Sequence, residues 1–328
     1  MKAVMYEAPR TLSFREVEEP PFDEDSILVK ISHSFICATD IKTYKQGHPR
    51  IKPPTVLGHE YSGIVEKVGS RVTGFAAGDA VAGIPFLNCG QCESCARGRP
   101  EGCEDRLFPS NGALAERISM SASYARRGLA KVPASALKEA ALSEPVSCVL
   151  NSARAFSPRA GDEVLVVGAG FMGVLNALVL RNLFGVEAAI TDVNETRLPL
   201  PASLGIKVVS EAEIRPGRYD AIILAAPVPA LVPRYAALVA PFGHLVLFGG
   251  YAKGAMAEFD PNLVHYQGLK IVGTSGFTPD DFRVAVKAIS GRFLKLGAFT
   301  EHLYRFDDFE RAFEDALAGR TLKAGFEL

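Results

Sequence analysis

Four of the six cysteines fall in one short stretch, "NCGQCESCARGRPEGCEDR" (88–106): Cys89, Cys92, Cys95 and Cys103, separated by two, two and seven residues. Four thiolates around one ion make a closed tetrahedral zinc site with no position left for a substrate. Such a loop is structural. Its rivals are an iron–sulfur cluster and a pair of disulfides. The common bacterial cluster run puts three residues between its last two cysteines and a proline after the fourth. Here the gap is seven and Glu104 follows. A zinc ribbon on nucleic acid is disfavoured by the acidic surroundings, Glu93, Glu101, Glu104 and Asp105.

Metal-assisted chemistry needs an open coordination position, usually with three protein ligands and a water. Candidates lie in "SFICATD" (Cys37), "VLGHEYSG" (His59, Glu60) and "LSEPVSCVL" (Glu144). Each has a plainer reading. A lone cysteine is usually a small buried hydrophobe. A His-Glu pair after Pro53, Pro54 and Gly58 can be a simple turn. Glu144 before Pro145 can open a helix, its charge near the positive end of the dipole.

A third pattern, "EVLVVGAGFMG" (163–173), joins a β-branched run to G-x-G-x-x-G and then to the helical spacing of "VLNALVLRNLFG". Strand, glycine turn and helix are the context in which this fingerprint means dinucleotide binding. Gly168 makes the turn, Gly170 lets the backbone approach a pyrophosphate, and Gly173 packs helix on strand. Phe171 and Met172 complete the turn expected at the cofactor. A second strand, "EAAITD", ends at Asp192, 19 residues past Gly173, where an acid can hold a ribose 2′-hydroxyl. The same carboxylate repels a 2′-phosphate, which favours NAD over NADP. Arg197 is the nearest cation and is read equally as an adenine-stacking group or a solvated helix residue.

These groups need a framework. The 328 residues suggest about two domains, and 48% apolar with 22% charged residues is an ordinary globular composition. Strand-like runs "IKVVS", "YDAIILAAP" and "GHLVLFGG" alternate with helical stretches, so the second half reads as an α/β doubly wound parallel sheet. In "NETRLPLPASLG", Pro199 and Pro201 should leave only a short or distorted helix. The net charge of −1 and the lack of long basic runs argue against nucleic acid. Neither a signal-peptide region nor a membrane span is visible, so a cytoplasmic protein without a membrane partner is expected.

Together, "CATD", "GHEYSGIVEKVGSRVTGFAAGDAVA", the cysteine loop, "SEPVS", "VVGAGFMG" and "FGGYAKG" resemble the zinc-dependent medium-chain dehydrogenase/reductase family, in its sorbitol and threonine dehydrogenase-like branch. The resemblance covers essentially the whole chain. It implies a GroES-like, mostly-β catalytic domain over residues 1–148 with the zinc lobe at 88–106. A Rossmann NAD-binding domain over 149–273 would follow, and a segment 274–328 returning to the catalytic domain. It implies two zinc ions per chain. Cys37 and His59 would hold the catalytic one, with Glu60 or Glu144 ligating directly or through water, and the four-cysteine loop the structural one. Thr39 keeps the hydroxyl of the proton relay, whereas Lys42 stands where many relatives have a histidine. The implied reaction is hydride transfer from a secondary alcohol, a polyol or sugar alcohol, to NAD. Threonine-like amino alcohols, cyclitols and simple alcohols are alternatives, and a non-catalytic NAD-binding zinc protein is the rival outside enzymes.

Less specific expectations complete the reading. A homodimer or homotetramer is implied, paired through "HLVLFGG" and "LKIVGTSG". Phe86, Phe108, Arg154 and Phe277 are candidate pocket residues. His33 and His48 are read as surface or packing residues and Cys148 as buried packing, while His265 and Tyr266 carry no role.

Overall fold

The structure is a computed structural model describing residues 1–100 and 102–328. Glu101, counted above among the acidic residues of the cysteine loop, lies outside the described residues. The chain forms two compact units, Met1–Pro145 with Thr278–Leu328, and Val146–Phe277.

The first unit is built on the strand Ser26–Phe35, whose residues are buried along most of its length. On one side it pairs antiparallel with Glu60–Val68, and on the other with Gly325–Glu327 and Arg117–Ser121. Ala80–Gly83 and Leu129–Lys131 extend the sheet beyond Glu60–Val68. A small sheet of Lys2–Ala8, Thr11–Glu16 and Thr55–Val56 lies apart. An apolar cluster of Tyr6, Ile36, Leu57, Phe306, Phe309, Phe313 and Phe326 ties the N- and C-terminal segments together. The register has a local consequence. Phe35 is opposite Glu60 on one side and Gly325 on the other. Cys37, Glu60 and the residues just before Gly325 are thereby gathered at one end of adjacent strands.

The second unit is a six-stranded, fully parallel sheet. Numbered in chain order, Val164–Val167, Ala188–Thr191, Lys207–Val208, Tyr219–Leu224, Val239–Leu247 and Lys270–Gly273 lie as 3-2-1-4-5-6. That is the doubly wound order, whose direction reverses between the first and fourth strands. The buried runs Val164–Val167 and Ala188–Thr191 show no polar alternation, as strands covered on both faces require. The double-proline segment is a single five-residue helix, Pro199–Ser203, after a one-turn 3₁₀ segment. Pro199 stands at the helix start, where its missing N–H costs nothing.

Candidate active site

Cys37 is the N-cap of the helix Ala38–Gln46. Its backbone N–H donates to Asp40 Oδ2 at 2.9 Å, and the Gly58 N–H donates to Asp40 Oδ1 at 3.2 Å. Asp40 is fully buried and also lies 3.5 Å from His59 Nδ1. One carboxylate thus fixes the cysteine's turn, the turn before the histidine and the imidazole itself. Gly58 has φ +93°, and a Cβ there would lie 2.5 Å from the Leu114 nitrogen, so only glycine lets the chain present His59 here. Burial alone would raise the Asp40 carboxyl, but His59 and the two N–H donors hold it below the usual value. Burial likewise disfavours a charged His59, yet Asp40 and then Cys37 keep its pKa well above that of an ordinary imidazole. Asp40 at Nδ1 leaves Nε2 as the donor for an ion, the usual arrangement of a metal-ligating histidine and its carboxylate.

Ligand atoms of Cys37, His59 and Glu60 lie within 4.8 Å of one another. Glu60 is buried, and its Oε1 accepts from Lys323 Nζ at 2.6 Å, with side-chain exposures of 0% and 5%. Its second oxygen, Oε2, is buried with no hydrogen-bond partner. Glu144, half-buried in the first turn of the helix Ser143–Phe156, is not among the groups within that 4.8 Å. Its charge acts on Lys323, whose pKa burial would lower but Glu60, Cys37 and Glu144 together raise. Thr39 is half-buried in the helix that Cys37 caps, and Lys42 is exposed on it.

The donor set fits zinc. A thiolate, an imidazole nitrogen and a carboxylate are three ordinary zinc ligands. The Glu60 Oε2, buried with no hydrogen-bond partner, marks a place where positive charge is needed.

The four cysteine sulfurs also lie within 4.8 Å of one another. Sγ of Cys103 is 3.8 Å from that of Cys92 and 3.6 Å from that of Cys89. A tetrahedron with metal–sulfur bonds of about 2.3 Å has edges of roughly 3.8 Å. A disulfide would need about 2.05 Å, and all six cysteines are free thiols. The Cys89 and Cys92 N–H groups donate to sulfurs of the cluster at 3.3 Å. Turn N–H groups bring the Cys92 thiol down to about 6, whereas burial pushes Cys95 up to about 12. Four thiolates so close repel one another, and a central dication removes that conflict.

In the second unit Gly168 has φ +107°, and a Cβ there would crowd Ala226, just past the fourth strand. A Cβ on Gly173 would stand 1.8 Å from the Gly168 carbonyl oxygen. Gly170 caps the helix Phe171–Val179, and a Cβ there would meet nothing within 4 Å, so the turn stays open on that side. Phe171 is buried and Met172 half-buried. Asp192 Oδ2 accepts from the Ala169 N–H at 2.7 Å and Oδ1 from Asn194. Arg197 lies 3.6 Å from the Asp192 carboxylate.

His48 is half-buried, and burial, then Arg50, His59 and Lys52, lower its pKa. One sequence reading changes. Cys148 is half-buried rather than buried. Of the pocket candidates, Phe86 is half-buried beneath Arg106, Phe108 is 62% exposed, Phe277 is buried and Arg154 donates to Asn151. Sequence reasoning missed Asp40 and Lys323. Asp40, three residues after an N-cap, carries a capping-box signal. Lys323 carries no local signal.

Residues 23–134 match the family model described as the alcohol dehydrogenase GroES-like domain. The L-threonine 3-dehydrogenase of Edwardsiella ictaluri is 30% identical, with 94% of each chain covered. That of Idiomarina loihiensis is 29% identical over the same shares. A protein described as a zinc-binding dehydrogenase from Sinorhizobium meliloti, bound to NADP, is 25% identical with a TM-score of 0.90, covering 100% of this chain and 99% of that one. Galactitol-1-phosphate dehydrogenase from Escherichia coli shares the fold, at 23% identity and a TM-score of 0.87 over all of both chains.

Proposed function

Given that this chain belongs to the medium-chain dehydrogenase/reductase family of the alcohol dehydrogenase superfamily, we propose that it oxidises the secondary alcohol of a polyol or sugar alcohol with NAD and two zinc ions. The observation that carries the reading is the group of Cys37, His59 and Glu60, with Glu60 Oε2 buried and unpartnered beside them. Zinc, when bound, would supply Lewis acidity to a substrate hydroxyl, and NAD would accept the hydride. The protein does the rest. Cys37 and His59 would hold the ion, and Asp40 keeps the His59 ring in the orientation that offers Nε2. Glu60, tethered through one oxygen to Lys323, would offer its other oxygen as a further ligand. Thr39 receives the hydroxyl proton. Cys89, Cys92, Cys95 and Cys103 hold the second ion in a closed site with a structural role.

Several observations support the finer points. Gly168, Gly170, Phe171, Met172 and Gly173 form the phosphate-facing turn, at the point where the strand order reverses. The Asp192 carboxylate at the end of the second strand disfavours a 2′-phosphate, which supports NAD. Phe242, Met256 and Tyr266 are 73%, 82% and 76% exposed, and a homodimer or homotetramer would cover such apolar side chains. Oxidation of a threonine-like amino alcohol is the second reading, favoured by the 30% identical relative.

The test is NADH formation on sorbitol, xylitol, galactitol, myo-inositol, threonine and simple alcohols, with and without a zinc chelator. A chelator-sensitive rate is expected on one class and should vanish in Cys37→Ser while NADH binding persists. A Cys37→Ser variant that keeps substantial turnover refutes the assignment.

A further inference from the structure

The C-terminal segment reaches the metal-ligand end of the sheet at a fixed point. Ile36, the residue before Cys37, donates its N–H to the Ala324 carbonyl at 2.9 Å, so Cys37 and Lys323 flank one backbone hydrogen bond. Ala324 and Phe326 are buried in the apolar cluster that ties the chain ends together. Gly325 lies opposite Phe35, and a Cβ there would stand 2.2 Å from the Phe35 ring, so the strand rests directly on that side chain. The lysine backbone is therefore anchored by register and packing, independently of the carboxylate its side chain meets. Its Nζ donates to Glu60 Oε1 at 2.6 Å, with side-chain exposures of 5% and 0%. The two oxygens of Glu60 thus differ. Lys323 takes Oε1, while Oε2 is buried with no hydrogen-bond partner among the described residues. The difference matters for an ion held with Cys37 and His59. One carboxylate oxygen makes three protein ligands, the number that leaves a fourth position open, and a second oxygen fills it.

We propose that Lys323 is a positioning residue: it keeps Glu60 Oε1 for itself, so the carboxylate gives the ion at most one oxygen and the fourth position stays open to substrate. This rests on the dehydrogenase reading above and deepens it by naming the group that keeps its site open. Lysine suits the task because an ammonium is a compact point charge that can satisfy one oxygen alone. An arginine fork matches both oxygens of a carboxylate at once.

The test follows zinc release to a chelator, beside turnover, in the full-length zinc-loaded protein. Cys37→Ser, which lacks the ion concerned, identifies the release phase that belongs to it. In Lys323→Met both Glu60 oxygens can turn to the ion, so that phase should slow by about ten- to a hundredfold, the worth of one charge-assisted hydrogen bond. With cobalt in place of that zinc, the visible absorption of a four-coordinate ion should weaken as a further oxygen joins it. On the alcohol that the panel above identifies, kcat/KM should fall about tenfold or more, carried by KM, because Glu60 then competes with substrate for the open position. Lys323→Gln keeps a neutral donor and serves where the methionine variant does not fold; it should shift release and absorption the same way, by less. Lys323→Arg should release zinc no more slowly than the unaltered protein. Glu60→Gln/Lys323→Met should lose the slow release, which places its cause on the carboxylate. Release in Lys323→Met and Lys323→Gln as fast as in the unaltered protein or faster, with unchanged cobalt absorption, is what a merely structural lysine gives. That result, or slow release that persists in the double variant, overturns the proposal and leaves the dehydrogenase reading standing. No chelator-sensitive turnover on any alcohol of the panel, with NADH binding and zinc content intact, removes the dehydrogenase reading and this proposal with it.

Discussion

Replacing Lys323 by Met leaves the Glu60 carboxylate buried without its cation. Nζ and Oε1 are 2.6 Å apart, and the two side chains are 5% and 0% exposed, so neither charge is hydrated. Removing one member of such a pair costs about 3–5 kcal/mol, because the other charge stays buried and uncompensated. Removing both costs far less, since the desolvation of two charges cancels most of what their attraction returns. Lys323→Met should therefore lose about 3–5 kcal/mol in urea unfolding at pH 8, in protein stripped of the Cys37 zinc but retaining the four-cysteine ion. The double variant Glu60→Gln/Lys323→Met should fall within about 1 kcal/mol of the unaltered protein. The pH lies inside the stable window. The pKa of Lys323 is raised above 10.5 in the folded state, so its contribution is whole below that value and fades only as pH rises through the folded one. Restoring zinc should recover part of the loss in Lys323→Met, because Glu60 Oε2 can then turn to the ion. The variant should accordingly hold its zinc more tightly against a chelator. A single-variant loss under about 1 kcal/mol, or two single losses that simply add, would refute the buried pair as a coupled unit.

Three further outcomes follow from the geometry. Cys103→Ser should lower zinc content by one ion per chain and lower the unfolding midpoint; a stable variant with both ions would remove the structural-zinc reading. Gly173→Ala forces a Cβ to 1.8 Å from the Gly168 carbonyl, so the glycine turn must shift. NADH binding, followed by fluorescence quenching, should fall at least about tenfold, and unchanged affinity would show that the turn does not face the cofactor. Asp315 is held below its usual 3.8 by the Tyr304 hydroxyl and then by Arg320. Its contribution is present above that value and lost as pH falls through the lower folded pKa. Asp315→Asn should thus flatten the stability curve below about pH 4, and an unchanged acid limb would refute the coupling.

The local patterns were legible because their physics is local. The spacing of Cys89, Cys92, Cys95 and Cys103 brings four sulfurs together by one loop's own curvature, and the structure puts them within 4.8 Å of one another. The run from Glu163 to Gly173 encodes strand, turn and helix over neighbouring residues, and Pro199 and Pro201 limit a helix by removing N–H groups from it. What could not be read is whatever depends on register between distant strands. Lys323 sits 263 residues from Glu60, and nothing in "RTLKAGFEL" announces an ion pair. It arrives because Gly325–Glu327 pairs with Ser26–Phe35, whose far side pairs with Glu60. Residue type and spacing therefore determined which donors this chain has, since ligand chemistry resides in single side chains. Strand pairing in three dimensions decided which donors meet. There a buried charge must find its counter-charge whatever the distance along the chain, which is how Asp40 came to hold His59 and Lys323 to hold Glu60.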